Sequence, residues 1–312
     1  MNALLIAAFQ MIIVVACAPF AAGFVRWCKA RLQGRKGASP FLPYLTLATL
    51  FRKEMVISSA TSWVFGVVPY VVLTTALFLA AMLPLIASGG SVGGLDHFIV
   101  VASVLAVGAV FLVLGGMDPG SAFGGMGASR EMTIAALVEP AMITTFAAFA
   151  VVGGSGSMHD MLAVGGSAIA AHPALVLSLF AFVFVLLAEN ARYPVDNPAT
   201  HLELTMVHEA MVLEYSGPYL ALLELAASVK LTVFGLLLTS FIVPTTLFAG
   251  GGIGAMLVAL MLVPVRIVII MALLALLEST IPKMRFYRMQ EYLSTAFVLA
   301  LAGLVLTLIR LV

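Results

Sequence analysis

The sequence has 312 residues, of which 63% are hydrophobic and 9% are charged, whereas about a quarter of the residues of a soluble domain are charged. This composition predicts a membrane protein. The 15 Lys and Arg residues nearly balance the 14 Asp and Glu residues, so the chain lacks the positive field that gathers nucleic acid, and a nucleic-acid function is excluded.

The cysteines of the chain argue against a redox centre of its own. Cys17 and Cys28 are the two cysteines of the sequence, and an iron-sulfur cluster takes about four ligands. Their spacing fits neither a C-x-x-C motif nor a zinc site. We therefore expect no cofactor bound by this chain, no metal site, and any redox centre in another protein.

Eight apolar stretches are long enough to cross the hydrocarbon core of a bilayer, which takes about 20 helical residues. They lie near residues 3 to 25, 64 to 87, 98 to 114, 132 to 152, 173 to 188, 219 to 240, 253 to 277 and 292 to 309. The predicted fold is an all-α polytopic membrane protein with about eight transmembrane helices, organised as a single integral membrane domain.

The connections between these stretches differ in charge. The sequence places 12 of its 15 Lys and Arg residues in four connections, at 26 to 63, 115 to 131, 189 to 218 and 278 to 291. Because cytoplasmic loops retain Lys and Arg, we expect these four loops in the cytoplasm and both termini outside. The alternate connections are short, neutral and glycine-rich, so function is expected on the cytoplasmic side.

Four charged residues lie within predicted transmembrane helices, where a charge costs at least about 2.5 kcal/mol. They are Glu139, Glu224, Lys230 and Arg266. Each is expected to have a partner or water, and the prolines next to Glu139 and near Arg266 favour kinks. Two interpretations stay open: these charges pair with neighbours and lock the bundle, or they belong to a proton path.

The connection at 189 to 218 contains start and stop signals for a helix. Thr200 and Glu203 form a capping box, and Gly217 stands where a helix would end. A short helix is therefore predicted over 201 to 215. Its surface is interpreted either as a solvated charged face or as a docking surface that also supplies carboxylates for proton exchange.

The same predicted helix carries two polar faces. His201 and His208 lie on one of them, and Glu203 and Glu214 lie on another. An H-E-x-x-H zinc motif would need a second histidine where the chain has Val212. No metal site is therefore expected.

Two further connections allow simple interpretations. Glu189 and Arg192, at positions i and i+3, are predicted to pair with each other. The glycine-rich stretch at 115 to 131 lacks both G-x-G-x-x-G and a Walker lysine, so it is not a phosphate site. The basic residues of the loop at 26 to 63 either anchor to anionic headgroups or contact another subunit.

Several short motifs follow one another along the charged connections. They are Lys53-Glu54; Gly127, Arg130 and Glu139; Glu189, Arg192, Pro194, Asp196 and Pro198; Glu214-Tyr215-Ser216-Gly217; and Pro282-Lys283-Met284-Arg285. With these motifs the chain resembles the subunit 1 family of respiratory complex I over nearly its whole length.

Departures from the family pattern favour one branch of it. Ala199, His201 and Tyr219 stand where quinone-reducing complex I carries further glutamates and an arginine. Lys230 and the stretches at 124 to 132 and 200 to 211 instead resemble the hydrogenase-associated branch, that of hydrogenase-4 and formate hydrogenlyase complexes.

The resemblance implies a membrane anchor and energy-coupling subunit, without a catalytic residue, of a complex I-like group 4 nickel-iron hydrogenase or formate hydrogenlyase. The coupled ion is H⁺ or Na⁺, and the location is the inner (cytoplasmic) membrane of a prokaryote. Implied partners are the hydrogenase large and small subunits, iron-sulfur subunits and antiporter-like membrane subunits in the bilayer. The nickel-iron centre and iron-sulfur clusters are expected in those partners.

Two alternatives stay open: the quinone-site subunit of a complex I-like quinone reductase, and a stand-alone secondary ion transporter. In the leading hypothesis the candidate residues form two groups. The ion-coupling candidates are Glu139, Glu189, Glu203, Glu209, Glu214, Glu224, Lys230 and Arg266. The docking-loop candidates are Lys53, Glu54, Arg130, Arg192, Asp196, His201, His208, Lys283 and Arg285.

Overall fold

The computed structural model describes residues 3 to 86, 94 to 196, 206 to 243, 253 to 281 and 289 to 311. In these ranges the chain forms eleven helices. Their bounds are α1 Ala3–Leu32, α2 Leu42–Arg52, α3 Trp63–Met82, α4 Phe98–Met117, α5 Ala122–Gly153, α6 Met158–Ala171, α7 Leu175–Glu189, α8 His208–Val212, α9 Gly217–Ile242, α10 Ile253–Thr280 and α11 Met289–Leu311.

The predicted all-α polytopic fold is confirmed. Seven helices in the described ranges are long and apolar enough to cross a membrane, and with the shorter apolar helix α7 they coincide with the eight predicted stretches. Helix α7 has 15 residues and is about 22 Å long, less than the hydrocarbon core of about 30 Å. Helix α5, with 32 residues, is about 48 Å long and extends beyond that core.

Side chains of two charged connections determine where α3 and α5 begin. The Ser62 hydroxyl accepts a hydrogen bond from the backbone N–H of Val64, and the Ser121 hydroxyl accepts one from Gly124. These caps satisfy N–H groups that have no partner within their own helix. Asp118 accepts hydrogen bonds from the backbone N–H and the hydroxyl of Ser62, so the two connections are joined.

Helix α9 stands at the centre of the bundle and is the most deeply buried of the seven long helices. Around it, α10 packs on α1, α1 on α3, α3 on α4, α4 on α5, and α5 on α7. Helix α11 packs against both α5 and α7. The ring is weakest between α7 and α10, which barely touch.

The charged connections contact one another at one end of the bundle, here called the charged end. Besides the Ser62 and Asp118 contact, the Arg130 guanidinium donates to the backbone oxygen of Met206 at 2.9 Å. Arg192 lies 3.6 Å from the carboxylate of Glu278. The first connection thus contacts the second, the second the third, and the third the fourth.

The helix predicted over 201 to 215 is wrong in its extent. Helix α8 spans His208–Val212, and Met206 and Val207 before it are not helical; residues 201 to 205 lie outside the described ranges. The carboxylate of Asp196 accepts hydrogen bonds from the N–H groups of Val207 and His208. The hydrogen bonds from this carboxylate, which is distant in the sequence, satisfy backbone N–H groups at the start of the helix at His208; the predicted capping box of Thr200 and Glu203 lies outside the described residues.

The other end of the bundle, here called the opposite end, is filled with aromatic side chains. Phe146 and Phe149 of α5, Phe182 of α7 and Phe241 of α9 are all fully buried. The ring centroids of Phe149 and Phe241 are 4.2 Å apart, and those of Phe182 and Phe241 are 5.5 Å apart. This group is called the phenylalanine cluster below.

Candidate functional site

An ion pair lies inside the bundle between the central helix and α7. The ammonium of Lys230 is 2.6 Å from a carboxylate oxygen of Glu189, and the two side chains are 25% and 11% exposed. Lys230 lies roughly 20 Å along α9 from its first residue, Gly217. Because α7 is short, its last residue, Glu189, reaches this depth. The interpretation that Lys230 pairs with a neighbour is supported by this contact.

The pair borders a cavity of about 90 Å³, here called the inner cavity. Its other polar lining residues include Glu131 and His208, while the walls from α3 and α4 are apolar apart from Thr75. A buried charge is costly unless it is paired or hydrated. The inner cavity is a largely apolar space that Lys230, Glu189 and Glu131 all line.

Glu131 was not among the candidate residues, although it lines the inner cavity with Glu189. Hydropathy placed it in a connection, because the apolar part of α5 begins only after it. The structure extends α5 back to Ala122, so Glu131 is a helical residue that faces the cavity. Its spacing from Glu139 gives no signal, because eight residues turn a helix by about 80° and place the two glutamates on different faces.

The inner cavity is next to two larger ones. A cavity of about 320 Å³ lies between α1, α2 and α9, and one of about 580 Å³ lies at the charged end. Asn190, His208 and Ala227 line all three. Because they share these residues, the three cavities adjoin one another. The cavity at the charged end is therefore next to the inner cavity that Lys230 lines.

His208 is neutral at neutral pH. Burial, together with the positive charge of Lys230, lowers the pKa of His208 from 6.5 to about 4. A neutral imidazole carries one N–H donor and one acceptor, so His208 presents both at the point where the three cavities adjoin. The predicted docking residue therefore lies beside the ion pair.

A second ionic cluster surrounds Glu278, here called the Glu278 cluster. The carboxylate lies 2.7 Å from the ammonium of Lys29 and 3.6 Å from the guanidinium of Arg192. The predicted pairing of Glu189 with Arg192 is wrong, since each has a partner on another helix. Long-range packing places those partners, and spacing along one helix cannot show them. Lys29 and Glu278 were missed as site residues for the same reason.

Tight backbone packing explains why the motif of Gly127, Arg130 and Glu139 begins with glycine. A Cβ atom on Gly127 would lie 2.9 Å from the backbone oxygen of Val207, and one on Gly116 would lie 2.9 Å from Met211. Glycine at both positions lets α8 lie directly on α4 and α5. Arg130, three residues after Gly127, then reaches Met206.

The motif Glu214-Tyr215-Ser216-Gly217 binds the first connection to the third. The Ser216 hydroxyl accepts from the N–H of Val56 and donates to its carbonyl, both at 2.9 Å. The Tyr215 ring stacks on Phe65 at 3.9 Å. Gly217 has φ +54, and a Cβ there would lie 2.9 Å from the backbone oxygen of Glu54. The motif thus joins two loops through backbone contacts, while the side chains of Lys53 and Glu54 are exposed.

The other acidic candidates are dispersed. Glu224 lines the 320 Å³ cavity, and Glu209 lines both larger cavities. Glu214 is exposed at the charged end. Glu139 is half-buried on α5, between the exposed Met132 and Ile143 on one side and the buried Met142 on the other, so it lies at the edge of the buried face of the helix. His201, Glu203, Lys283 and Arg285 lie outside the described residues.

Arg266 lies far from the charged end. Its guanidinium donates to the hydroxyls of Thr239 and Ser240, and to the carbonyls of Leu236 and Leu85. These acceptors are neutral and come from α9 and from the segment after α3. The contacts fit the structural interpretation, in which Arg266 locks the bundle.

The part of the chain that the structure describes contains no group of three or more His, Cys, Asp or Glu residues able to hold a metal ion. Cys17 and Cys28 are free thiols. The site is therefore ionic in its chemistry: carboxylates, cations and polar cavities at one end of a helical bundle. These features define a polytopic membrane protein built to hold charges within its bundle.

The family follows from comparison with known proteins. Residues 4–308 match the family model described as NADH dehydrogenase, and the chain belongs to that family. The resemblance to the subunit 1 family of respiratory complex I is confirmed, and the chain is a complex I-like membrane subunit.

Curated relatives include members of two hydrogen-metabolising complexes. The chain is 29% identical to hydrogenase-4 component C of Escherichia coli over 93% of its own length and 91% of that protein. It is 28% identical to formate hydrogenlyase subunit 4 of Escherichia coli, over 88% and 89%. A subunit of the NADH-quinone oxidoreductase of Syntrophotalea carbinolica is 24% identical, over 78% and 73%.

The fold also matches a solved structure. A chain of the membrane-bound sulfane sulfur reductase, an archaeal respiratory membrane complex, superposes with a TM-score of 0.82. The match covers 98% of this chain and 100% of that chain, at 16% identity. At this identity the likeness concerns the fold alone.

Proposed function

We propose that the chain is the membrane anchor and energy-coupling subunit of a complex I-like group 4 nickel-iron hydrogenase or formate hydrogenlyase. The names of the two relatives from Escherichia coli support this choice of complex. In this proposal the redox centres belong to partner subunits, and this chain handles protons or Na⁺ in the cytoplasmic membrane of a prokaryote.

The observation that carries the proposal is the ion pair of Lys230 and Glu189 beside the inner cavity. Lys230 faces a second carboxylate, that of Glu131, across the same cavity. A carboxylate next to a cation stays ionised, whereas a desolvated one takes up a proton. A small shift of Lys230 between the two carboxylates would therefore exchange a proton between them.

The packing at the opposite end supports a path on which the ion leaves the bundle laterally, through the side of the bundle and not through its opposite end. The phenylalanine cluster fills the space between α5, α7 and α9 there, and an apolar, close-packed region offers an ion no ligands. Glu139 is half-buried at the edge between the buried and outer faces of α5, seven residues before Phe146 of that cluster. We propose that Glu139 passes the ion to a neighbouring antiporter-like membrane subunit, which would cover the outer face.

Docking of the peripheral subunits is assigned to the charged end. Lys53 and Glu54 are exposed there, and Arg130, Arg192 and Asp196 hold the loops against one another. A surface held by such contacts keeps its shape when partners bind, which lowers the cost of ordering it.

The first experiment is purification of the intact complex in mild detergent through a tag on this chain, followed by measurement of bound nickel, iron and flavin. Nickel with iron is the expected result. Iron and flavin without nickel would overturn the hydrogenase assignment in favour of a quinone reductase. If the tagged chain is purified alone and without metal, it is not a subunit of such a complex, and the stand-alone secondary ion transporter becomes the favoured function.

The ion path is tested by Glu139→Gln, which keeps the shape of the side chain and removes its exchangeable charge. The variant complex should assemble and retain hydrogenase activity with an artificial electron acceptor, but lose most of its turnover-linked ion translocation. Glu291→Gln, at an exposed glutamate near the start of α11 that is not among the candidate residues, is the matched control and should translocate normally. Full translocation by Glu139→Gln would remove this residue from the path.

A second candidate function is supported by the cavity of about 320 Å³ between α1, α2 and α9. A space of this size between membrane helices would accept a quinone ring, and one relative belongs to a quinone oxidoreductase. Photolabelling of the complex with a quinone analogue decides between the two. Labels on α1, α2 or α9 would favour the quinone reductase.

A further inference from the structure

An apolar crevice opens between α7, α9 and α10, where the ring of helices is weakest. Its volume is about 320 Å³. Every residue that lines it is apolar, among them Leu179, Phe180, Leu238, Leu273 and Leu276. Phe180 and Leu273 are 57% and 51% exposed, so the crevice is open toward the surrounding bilayer.

The crevice exists because α7 and α10 do not close against each other. The central helix contributes Leu231, Gly235 and Leu238 to the inner wall. Without polar groups on its walls the crevice cannot hold ordered water, and an empty space forfeits dispersion contacts. The physical requirement is an apolar occupant long and thin enough to lie between helices.

A cationic site stands at the charged end of the same crevice. Glu278 follows the lining residue Leu277 and lies one helical turn beyond another, Leu274. It is flanked by Lys29 and Arg192. Lys29 and Arg192 line the 580 Å³ cavity together with Arg26, Arg35, Asp196 and Glu209. With Glu278 added, these four cations and three carboxylates leave a net positive charge just beyond the end of the apolar crevice.

We propose that a phospholipid with an anionic headgroup, drawn from the surrounding bilayer, occupies this crevice. One acyl chain lies between α7 and α10 against the central helix, and the phosphate binds at Lys29 and Arg192. The lipid completes the ring of helices at its weakest point. This proposal does not depend on which enzyme complex the chain serves.

Substitutions in the Glu278 cluster should change the preference for anionic lipid in opposite directions, depending on the charge that they remove. Glu278→Gln removes the competing carboxylate, so preference for anionic over zwitterionic lipid should rise about fivefold, the effect of one basic charge at a membrane surface. Lys29→Gln removes a cation and should lower the preference by about the same factor. A purely structural role of the cluster would move neither ratio.

The measurement uses tryptophan fluorescence in vesicles. The full chain, with Trp27→Phe and Trp63→Phe, receives Leu273→Trp in the crevice. The protein is reconstituted with brominated phosphatidylglycerol or brominated phosphatidylcholine, which quench a tryptophan that their acyl chains touch. The matched control is Val298→Trp on α11, at a position that is 59% exposed.

Quenching at position 273 should be stronger with the anionic lipid, and quenching at position 298 should be equal for the two lipids. Equal quenching at both positions would overturn the headgroup assignment. Strong quenching at 298 with none at 273 would overturn the lipid altogether.

A second measurement examines the intact complex in native membranes. A photo-crosslinking side chain at Leu276, which lines the crevice, should form adducts with phospholipid that are found by mass spectrometry. Crosslinks to another protein subunit instead would assign the crevice to a partner helix and overturn the proposal.

Discussion

The two ends of the bundle solve the problem of buried charge in different ways. Glu278 is held by two cations at the charged end, and Lys230 and Glu189 pair beside a cavity that leads inward from it. At the opposite end, Arg266 has neutral oxygens as partners, and the phenylalanine cluster fills the space beside them. In the proposed function, the charges near one end exchange protons, whereas the charge near the other end is held only by neutral partners.

If the chain is the coupling subunit proposed above, this difference explains how it would prevent a leak of ions across the membrane. Carboxylates are useful only where water or another titratable group can reach them, and the cavities provide this at the charged end. A close-packed aromatic region excludes water. The comparison therefore predicts that substitutions at the two ends have different effects: on ion movement at the charged end, and on stability alone at the opposite end.

The largest effect is expected from Lys230→Met, which leaves Glu189 buried without its cation. Loss of one partner of a buried ion pair costs about 3–5 kcal/mol. Thermal unfolding of the purified complex measures the loss, and proton translocation in vesicles should stop. The double variant Lys230→Gln with Glu189→Gln should recover most of the stability but not the translocation. Recovery of both would mean that the pair is structural.

Arg266→Met tests the opposite end. It removes hydrogen bonds from a charged donor to Thr239, Ser240, Leu236 and Leu85, each typically worth about 1.5–3 kcal/mol, while relieving the cost of a buried charge. A net loss of about 2–3 kcal/mol is expected. Translocation per hydrogen turned over should stay unchanged in the protein that remains folded, and a changed ratio would assign Arg266 to the ion path.

Much of the fold was predictable because the spans are marked by plain physical signals. Lack of charge over about 20 residues locates a span, and the uneven Lys and Arg content grouped the connections that meet at the charged end. Residues such as Lys230 were found because a charge inside an apolar stretch stands out. These predictions need no knowledge of which helix packs against which.

The remainder depends on packing that no local pattern contains. Glu131 lies in the first third of α5 and Glu278 lies in the last turn of α10, both beyond the apolar stretches by which hydropathy places a span. The partners of Glu189 and Arg192 lie on other helices, so a rule for neighbours along one helix chose the wrong pair. Helix α8 begins where Asp196 caps it from a distance.

Gly127→Ala tests how much the close packing of α8 on α5 contributes to the stability of the charged end. The added Cβ would lie 2.9 Å from the backbone oxygen of Val207, whereas one on Gly125 meets nothing within 4 Å. Overpacking costs about 1–3 kcal/mol, so Gly127→Ala should lower thermal stability. Gly125→Ala, the matched control two residues away, should raise it by about 0.5–1 kcal/mol through helix propensity. Equal effects would show that α8 adjusts freely to the added methyl group.

His208→Gln should have the smallest effect on ion movement. Burial and Lys230 lower the pKa of His208 to about 4, so its charge does not change between about pH 6 and 8 and the pH profile of translocation should be unaltered. Stability should respond at lower pH. The unfolded chain binds a proton near the ordinary value of about 6.5, so the native state loses at most about 3 kcal/mol as pH falls from there to about 4.

Glutamine cannot take up this proton, so thermal unfolding of His208→Gln across that range should depend less on pH than the unsubstituted protein. A shift of the translocation profile near neutral pH would instead mean that His208 exchanges protons during turnover. In that case the proton path would begin at the junction of the three cavities, one step closer to the charged surface than Glu189.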